Sequence, residues 1–256
     1  MATAMCFIGH GAFGIITKPI WCNYFAVFGI GHDLAYKIMP IVGSLDILMG
    51  IIMLIYPIRA IALWLVIWGI VTASLRPLSG EPWAELIERA GNFGAPLALL
   101  ILCGGGKNFS GWFRRISTDI SPDTKKMEKL ASCLRIIVFL LLLGHGWLNM
   151  IQKKGLIEQY SRFGFSNPFE IARTIGLFEI IGAFAVLIKP LAPMLLLLFV
   201  WKMASEFFYP HYEIFEWVER GGSYGTLLAL YFYFTAKHNN SDDYARNNLE
   251  KGLNLT

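Results

Sequence analysis

Two histidines, two carboxylates and one lysine–glutamate pair stand inside stretches of sequence that are otherwise apolar. His10 and His145 each sit in a Gly-His-Gly triplet, Asp46 and Glu179 each lie in a later apolar run, and Lys202 and Glu206 are four residues apart in another. Ionisable groups at membrane depth cost about 2.5 to 3.5 kcal/mol each on insertion scales, so they face a bundle interior or water and mark relays, ligands or pathways. A histidine and a carboxylate at matching depth form an imidazolium–carboxylate pair or a neutral hydrogen bond. Such a pair suits proton transfer, hydrogen bonding to a quinone, or metal or haem ligation. The bland alternative is an interhelical hydrogen bond that holds a bundle together, with the glycines beside it allowing close helix approach.

The two copies differ in one respect. Lys202 and Glu206 fall on one helix face at i, i+4 spacing, and the first half carries Gly69 and Ala73 at the corresponding positions. The fold therefore does not require that pair, which makes His145, Glu179, Lys202 and Glu206 the candidate catalytic cluster. His10, Asp46 and the matched, deep Trp68 and Trp201 are candidates for lining a cofactor cavity, with core packing as the plainer role of the tryptophans. No residue is assigned to a metal. Phosphate-loop, HExxH and GxSxG motifs are absent, and Gly104-Gly105-Gly106-Lys107 reads as a helix end and linker.

The elements that must position these residues repeat. Gly9-His10-Gly11 recurs as Gly144-His145-Gly146 and Phe28-Gly29 as Phe163-Gly164, displaced by 135 positions. At 133, Gly43, Asp46, Pro57, Trp68 and Pro77 face Gly176, Glu179, Pro190, Trp201 and Pro210. At 131, Glu85, Glu88, Arg89, Gly91 and Gly94 match Glu216, Glu219, Arg220, Gly222 and Gly225. Each half holds four apolar runs, at 1–17, 36–56, 58–75 and 89–103, and at 130–151, 169–188, 191–209 and 222–236. The expected fold is an all-α integral membrane protein of eight transmembrane helices, arranged as two tandem four-helix bundles in parallel repeat. The organisation is a first unit at 1–104, a basic cytoplasmic linker at 105–129, a second unit at 130–236 and a polar tail at 237–256. Pro57 and Pro190 should close tight turns between the second and third helices.

Composition agrees. Hydrophobic residues make up 55% of 256 and charged residues 16%, with a mean hydropathy of +0.53, far from the roughly one quarter charged of soluble domains. The net charge of +4 does not point to nucleic acid, because the basic residues are scattered except between Lys107 and Lys129, where a cytoplasmic loop facing anionic lipid explains them. Twelve Lys and Arg fall on the side of both termini and nine on the other, which favours cytoplasmic termini. Residues 1–18 lack a basic leading region and a cleavage site, so they read as a first membrane helix and not as a removed signal. Cys6, Cys22, Cys103 and Cys133 show no CxxC spacing and read as packed thiols. Trp21, Tyr24, Trp83, Trp147, Tyr160, Phe207, Phe208, Tyr209, Tyr212 and Trp217 read as an interfacial belt.

His145-Gly146 followed by Lys153, then Phe163-Gly164, then Phe178-Glu179 with Gly182, and Lys189-Pro190 closing the helix, with Arg135 at the start of the histidine helix, resembles the DoxX family of small four-helix membrane proteins. The first half resembles it more weakly, with Asp46 in place of the glutamate. The resemblance implies subunits or accessories of membrane redox systems, including quinone-reducing partners in thiosulfate oxidation and companions of terminal oxidases, with trafficking or assembly factors among the relatives. The expectation is thus a redox-associated subunit in a bacterial inner membrane, beside other membrane redox subunits. It would hold a quinone or haem-like group in the non-cytoplasmic half of the bilayer, with His145 and Glu179 as ligand or proton-handling residues. The alternatives are a non-catalytic scaffold or assembly factor, and a proton-coupled transporter using Glu179, Lys202 and Glu206.

Overall fold

The computed structural model describes residues 1–106, 108–117, 123–206 and 213–253, with side chains described as far as residue 237 and not for residue 213. Phe207, Phe208, Tyr209, Tyr212 and Pro210, and with them the end of the expected seventh run, lie outside these residues. Among the described residues the chain is helical apart from one isolated bridge between Ile58 and Arg115. The first half contains α1 (Ala2–Ile15), α2 (Trp21–Ala26), α3 (His32–Ile55), α4 (Arg59–Leu78), α5 (Ala84–Glu88) and α6 (Ala90–Cys103), followed by α7 (Phe109–Phe113) in the linker. The second half contains α8 (Thr124–Met150), α9 (Lys154–Arg162), α10 (Pro168–Ile188), α11 (Ala192–Glu206), α12 (Glu213–Glu219) and α13 (Gly221–Leu253).

Four of these, α3, α4, α8 and α10, are long and apolar enough to cross a membrane; about 20 residues at 1.5 Å each span the hydrocarbon layer. Helices α1 and α6 are apolar but only 14 residues long. The long helices turn large apolar side chains outward, among them Leu45, Leu48 and Ile51 on α3, Ile67 and Ile70 on α4, and Leu177, Ile181 and Phe184 on α10. Water would make such a surface costly and lipid does not. This is the surface of an integral membrane protein.

Local chemistry sets the boundaries. Asp123 caps α8 by accepting from the Lys126 backbone N–H at 2.7 Å, so this helix starts in the basic linker, ahead of the apolar run at 130. Pro57 and Pro190 stand in the turns α3–α4 and α10–α11. The fourth run of each half is preceded by a short helix, α5 or α12, and the chain breaks at Arg89 and at Arg220 before continuing as α6 or α13. Helix α13 continues beyond residue 236 into the expected tail.

Packing joins the halves. Helix α1 lies along α3 and α8 along α10, each within its own half, but α12 and α13 also pack on α1, and α5 and α6 on α8. The closest backbone approaches at these crossings involve the glycine before each histidine. A methyl group on Gly9 would stand 2.3 Å from the backbone nitrogen of Glu219, and one on Gly144 would stand 2.3 Å from that of Glu88. One buried core accordingly contains Ala98 of α6 with Leu134, Val138 and Leu141 of α8, Ala183 of α10, Leu198 of α11 and Leu227 of α13. Spacing in the sequence reveals which helices exist; it does not reveal that each half completes its packing with the other.

Candidate functional site

In the second half, α8 and α10 face each other so that His145 Nδ1 lies 2.5 Å from the Glu179 carboxylate. Asn149, one turn below His145, donates its amide to the His145 carbonyl at 3.1 Å and accepts from the Tyr160 hydroxyl at 2.7 Å. From α11, the Trp201 indole donates to the other Glu179 oxygen at 3.0 Å. Lys202 places its ammonium 4.0 Å from Glu179 and 3.2 Å from Glu206. The four residues expected to cluster, His145, Glu179, Lys202 and Glu206, thus do meet, and their side chains are closed off from the surface.

The cluster continues into the other half through residues that the repeat marked but that were not assigned to the site. Arg220, at the break before α13, pairs with Glu88 of α5 and brings its Nε to 3.6 Å from Glu206. Arg89, at the corresponding break, binds Glu85 and Glu88 at 2.8 Å each. Glu85 also takes Lys153 from the loop after α8, and Arg76 at 3.3 Å. Burial pushes the Glu85 carboxyl up, but Arg89, Arg76 and Lys153 outweigh it and hold the group well below the usual carboxylate range. Lys153 shares that one carboxylate with two guanidinium groups, and burial leaves its own pKa lowered. Donor atoms of Glu88, His145 and Glu206 lie within 4.8 Å of one another, close enough for a metal ion to bridge. Arg220, Arg89 and Lys202 already supply positive charge to both carboxylates, so the donor set is balanced without one.

The first half repeats the dyad with different surroundings. His10 Nδ1 lies 2.7 Å from the Asp46 carboxylate, and the His10 ring stands 4.7 Å from that of Trp21. Where the second half inserts Lys202 and Glu206, Gly69 and Ala73 leave space. That space is a half-open cleft, with about 770 Å³ empty when its mouth is included and about 80 Å³ into which a water-sized group can be centred. Its walls include His10, Trp21, Trp68, Arg89, Asn92 and Glu219. It has room for a small ring or polar headgroup at the side of the His10–Asp46 pair. The Trp68 Nε1 is buried without a hydrogen-bond acceptor.

The charged groups at the rim are each engaged. Lys18 donates to Glu216 at 2.6 Å, Arg76 binds Glu81 and Glu85, and Tyr24 donates to Glu81 at 2.5 Å. Burial raises the Tyr24 hydroxyl well above its ordinary pKa. Of the residues expected to line a cofactor cavity, His10, Asp46 and Trp68 come together around this cleft, with Asp46 behind His10. Trp201 belongs instead to the Glu179 cluster, where it also meets Phe178 edge-on at 6.0 Å. The duplicated Glu-x-x-Glu-Arg-x-Gly-x-x-Gly pattern was the signal for the arginines and glutamates that connect the two places. Comparison of the chain with protein families, with curated proteins and with solved structures found no match.

Proposed function

We propose that this chain is an eight-span protein built from two fused four-helix units, and that its first unit binds the ring of a lipid-soluble redox carrier of the quinone class. The observation that carries this reading is the His10–Asp46 pair beside a half-open cleft that Gly69 and Ala73 leave empty. An aromatic wall and a few convergent polar groups are what a quinone ring needs: Trp21, Phe13 and Phe25 against its faces, His10 and Asn92 for its oxygens. Asp46 fixes the orientation of the imidazole and gives it a partner for the proton that a quinone oxygen takes up or releases. On this reading the second unit, whose own charged side chains fill the corresponding space, braces the first.

The proposed setting is a bacterial inner membrane, with both termini and the basic linker on the cytoplasmic side and the cleft toward the other face. The protein there is a DoxX-like subunit or accessory of a redox assembly. Purification in a gentle detergent, followed by a visible spectrum and extraction of bound lipids, tests it. A stoichiometric quinone, lost from the Gly69→Lys variant, is the expected result. A protein free of quinone when isolated from quinone-replete membranes would count against the reading. A non-catalytic scaffold is favoured by one observation, the closed and internally paired cluster of the second unit. It predicts that Asp46→Asn and His10→Gln lower the abundance of a partner complex without changing its turnover.

A further inference from the structure

Glu219 lines the cleft of the first half, although it belongs to α12 of the second. It is buried, with a relative exposure of 3%, and among the described residues its side chain makes no hydrogen bond and no ion pair within 4 Å, although Arg89 is near enough to feel its charge. Its sequence match, Glu88, is held by Arg89 and Arg220. Both arginines are drawn toward that side, Arg89 to Glu85 and Glu88 and Arg220 to Glu88 and Glu206. The other cations lining the cleft are committed as well, Lys18 to Glu216 and Arg76 to Glu81 and Glu85. A buried acceptor lining open space, with the direct contacts of the neighbouring cations made to other carboxylates, is complementary to a donor that arrives from outside.

The second half shows what fills such a space when the chain fills it itself. At the position of Gly69 it carries Lys202, a donor placed among Glu179 and Glu206. Taking the first-half cleft as the binding site proposed above, we infer that its occupant presents a hydrogen-bond donor, a hydroxyl or an ammonium, to Glu219. Within the quinone class this selects the reduced, hydroxyl-bearing ring over the oxidised one. The same chemistry is offered by an amine-headed phospholipid, and the test separates the two sources.

The full chain is placed in phosphatidylcholine nanodiscs and titrated with a short-tailed quinol and with its oxidised quinone, for the wild type, Glu219→Gln, Glu219→Asp and Gly69→Lys. Binding of the reduced ring about ten- to a hundredfold tighter than the oxidised ring is expected, the value of one hydrogen bond to a charged acceptor. E219Q removes that preference, E219D keeps part of it, and Gly69→Lys abolishes both ligands. Equal affinity for the two rings, with Gly69→Lys still abolishing both, overturns the role of Glu219 and leaves the quinone reading standing. If neither ring binds but phosphatidylethanolamine is retained over phosphatidylcholine in a Glu219-dependent way, the donor inference holds and the quinone reading falls. If neither rings nor amine lipids bind, both fall. A size-exclusion profile and an unfolding temperature of E219Q that match the wild type check that this variant is folded.

Discussion

Trp201 donates its indole N–H to Glu179 at 3.0 Å, and Trp68, at the matching place in the first half, has no acceptor for its own. The first-half residue that matches Glu179 is Asp46, one methylene shorter, and its Oδ2 is held by His10. The second-half dyad is thus joined by an indole donor, and the first half leaves its matching indole unused. Replacing Trp201 by Phe removes a hydrogen bond to a buried carboxylate, whereas Trp68→Phe removes an N–H that bonds to nothing. The first substitution is expected to destabilise by about 1 to 2 kcal/mol more than the second, read as the difference in thermal unfolding of the two variants in one detergent. Equal losses would contradict the assignment.

Lys202 stands 3.2 Å from Glu206 and 4.0 Å from Glu179 in a closed environment. Removing the ammonium alone, in Lys202→Gly, leaves two carboxylates short of a counter-charge and should cost about 3 to 5 kcal/mol. The double change Lys202→Gly with Glu206→Ala installs the residues of the first half and should cost less than Lys202→Gly by itself. A double-mutant cycle of unfolding free energies measures this coupling. Additive losses would mean that the pair is not coupled.

Glu85 carries the pH dependence that is easiest to isolate, because α5 precedes the apolar run and reaches the exterior through Lys153. Its carboxyl is held low in the folded protein. The folded state thus binds fewer protons at this group than the unfolded chain, and its stabilisation is complete above the ordinary glutamate pKa of about 4.3. Stability should decline as the pH falls below that value. Glu85→Gln should be less stable at neutral pH and show a flatter profile between about pH 5 and pH 3, followed by thermal unfolding. A variant whose profile runs parallel to the wild type would refute the assignment.

Gly144→Ala places a methyl group 2.3 Å from the backbone nitrogen of Glu88, which no rotamer change relieves. A loss of about 3 kcal/mol or more is expected, since α5 must move off α8 and take its ion pairs with it. Gly155→Ala, where a methyl group meets nothing within 4 Å, is the control. Size-exclusion profiles and unfolding temperatures of the two variants should diverge sharply.

Much of this was legible in the sequence. The Gly-His-Gly triplets and their displaced carboxylates predicted two His–carboxylate pairs, and both form, at 2.7 Å and 2.5 Å. The apolar runs located the helices to within a few residues, except where the Asp123 cap draws α8 into the linker and where α13 continues into the expected tail. Glu88, Arg89, Glu219 and Arg220 were visible as repeat markers but not as parts of a site. Charged residues just before an apolar run look interfacial, and only the helix breaks and the crossing of α5 and α12 onto the opposite half bury them. The cleft was harder still to foresee. Sequence comparison draws the eye to side chains that are present, Lys202 and Glu206, while an opening is made by atoms that Gly69 and Ala73 lack.

The crossing of the halves also bears on how the protein is made. Residue 9 rests on residue 219, so an early helix, packed on α3 from the start, completes its packing only after nearly the whole chain has been synthesised. Until then its glycine-lined groove must be shielded by lipid or by the insertion machinery. Contacts this distant in sequence make assembly slow relative to insertion. They also give quality control a simple criterion: a chain cut short before α12 displays an unfilled groove on α1, and a complete one does not.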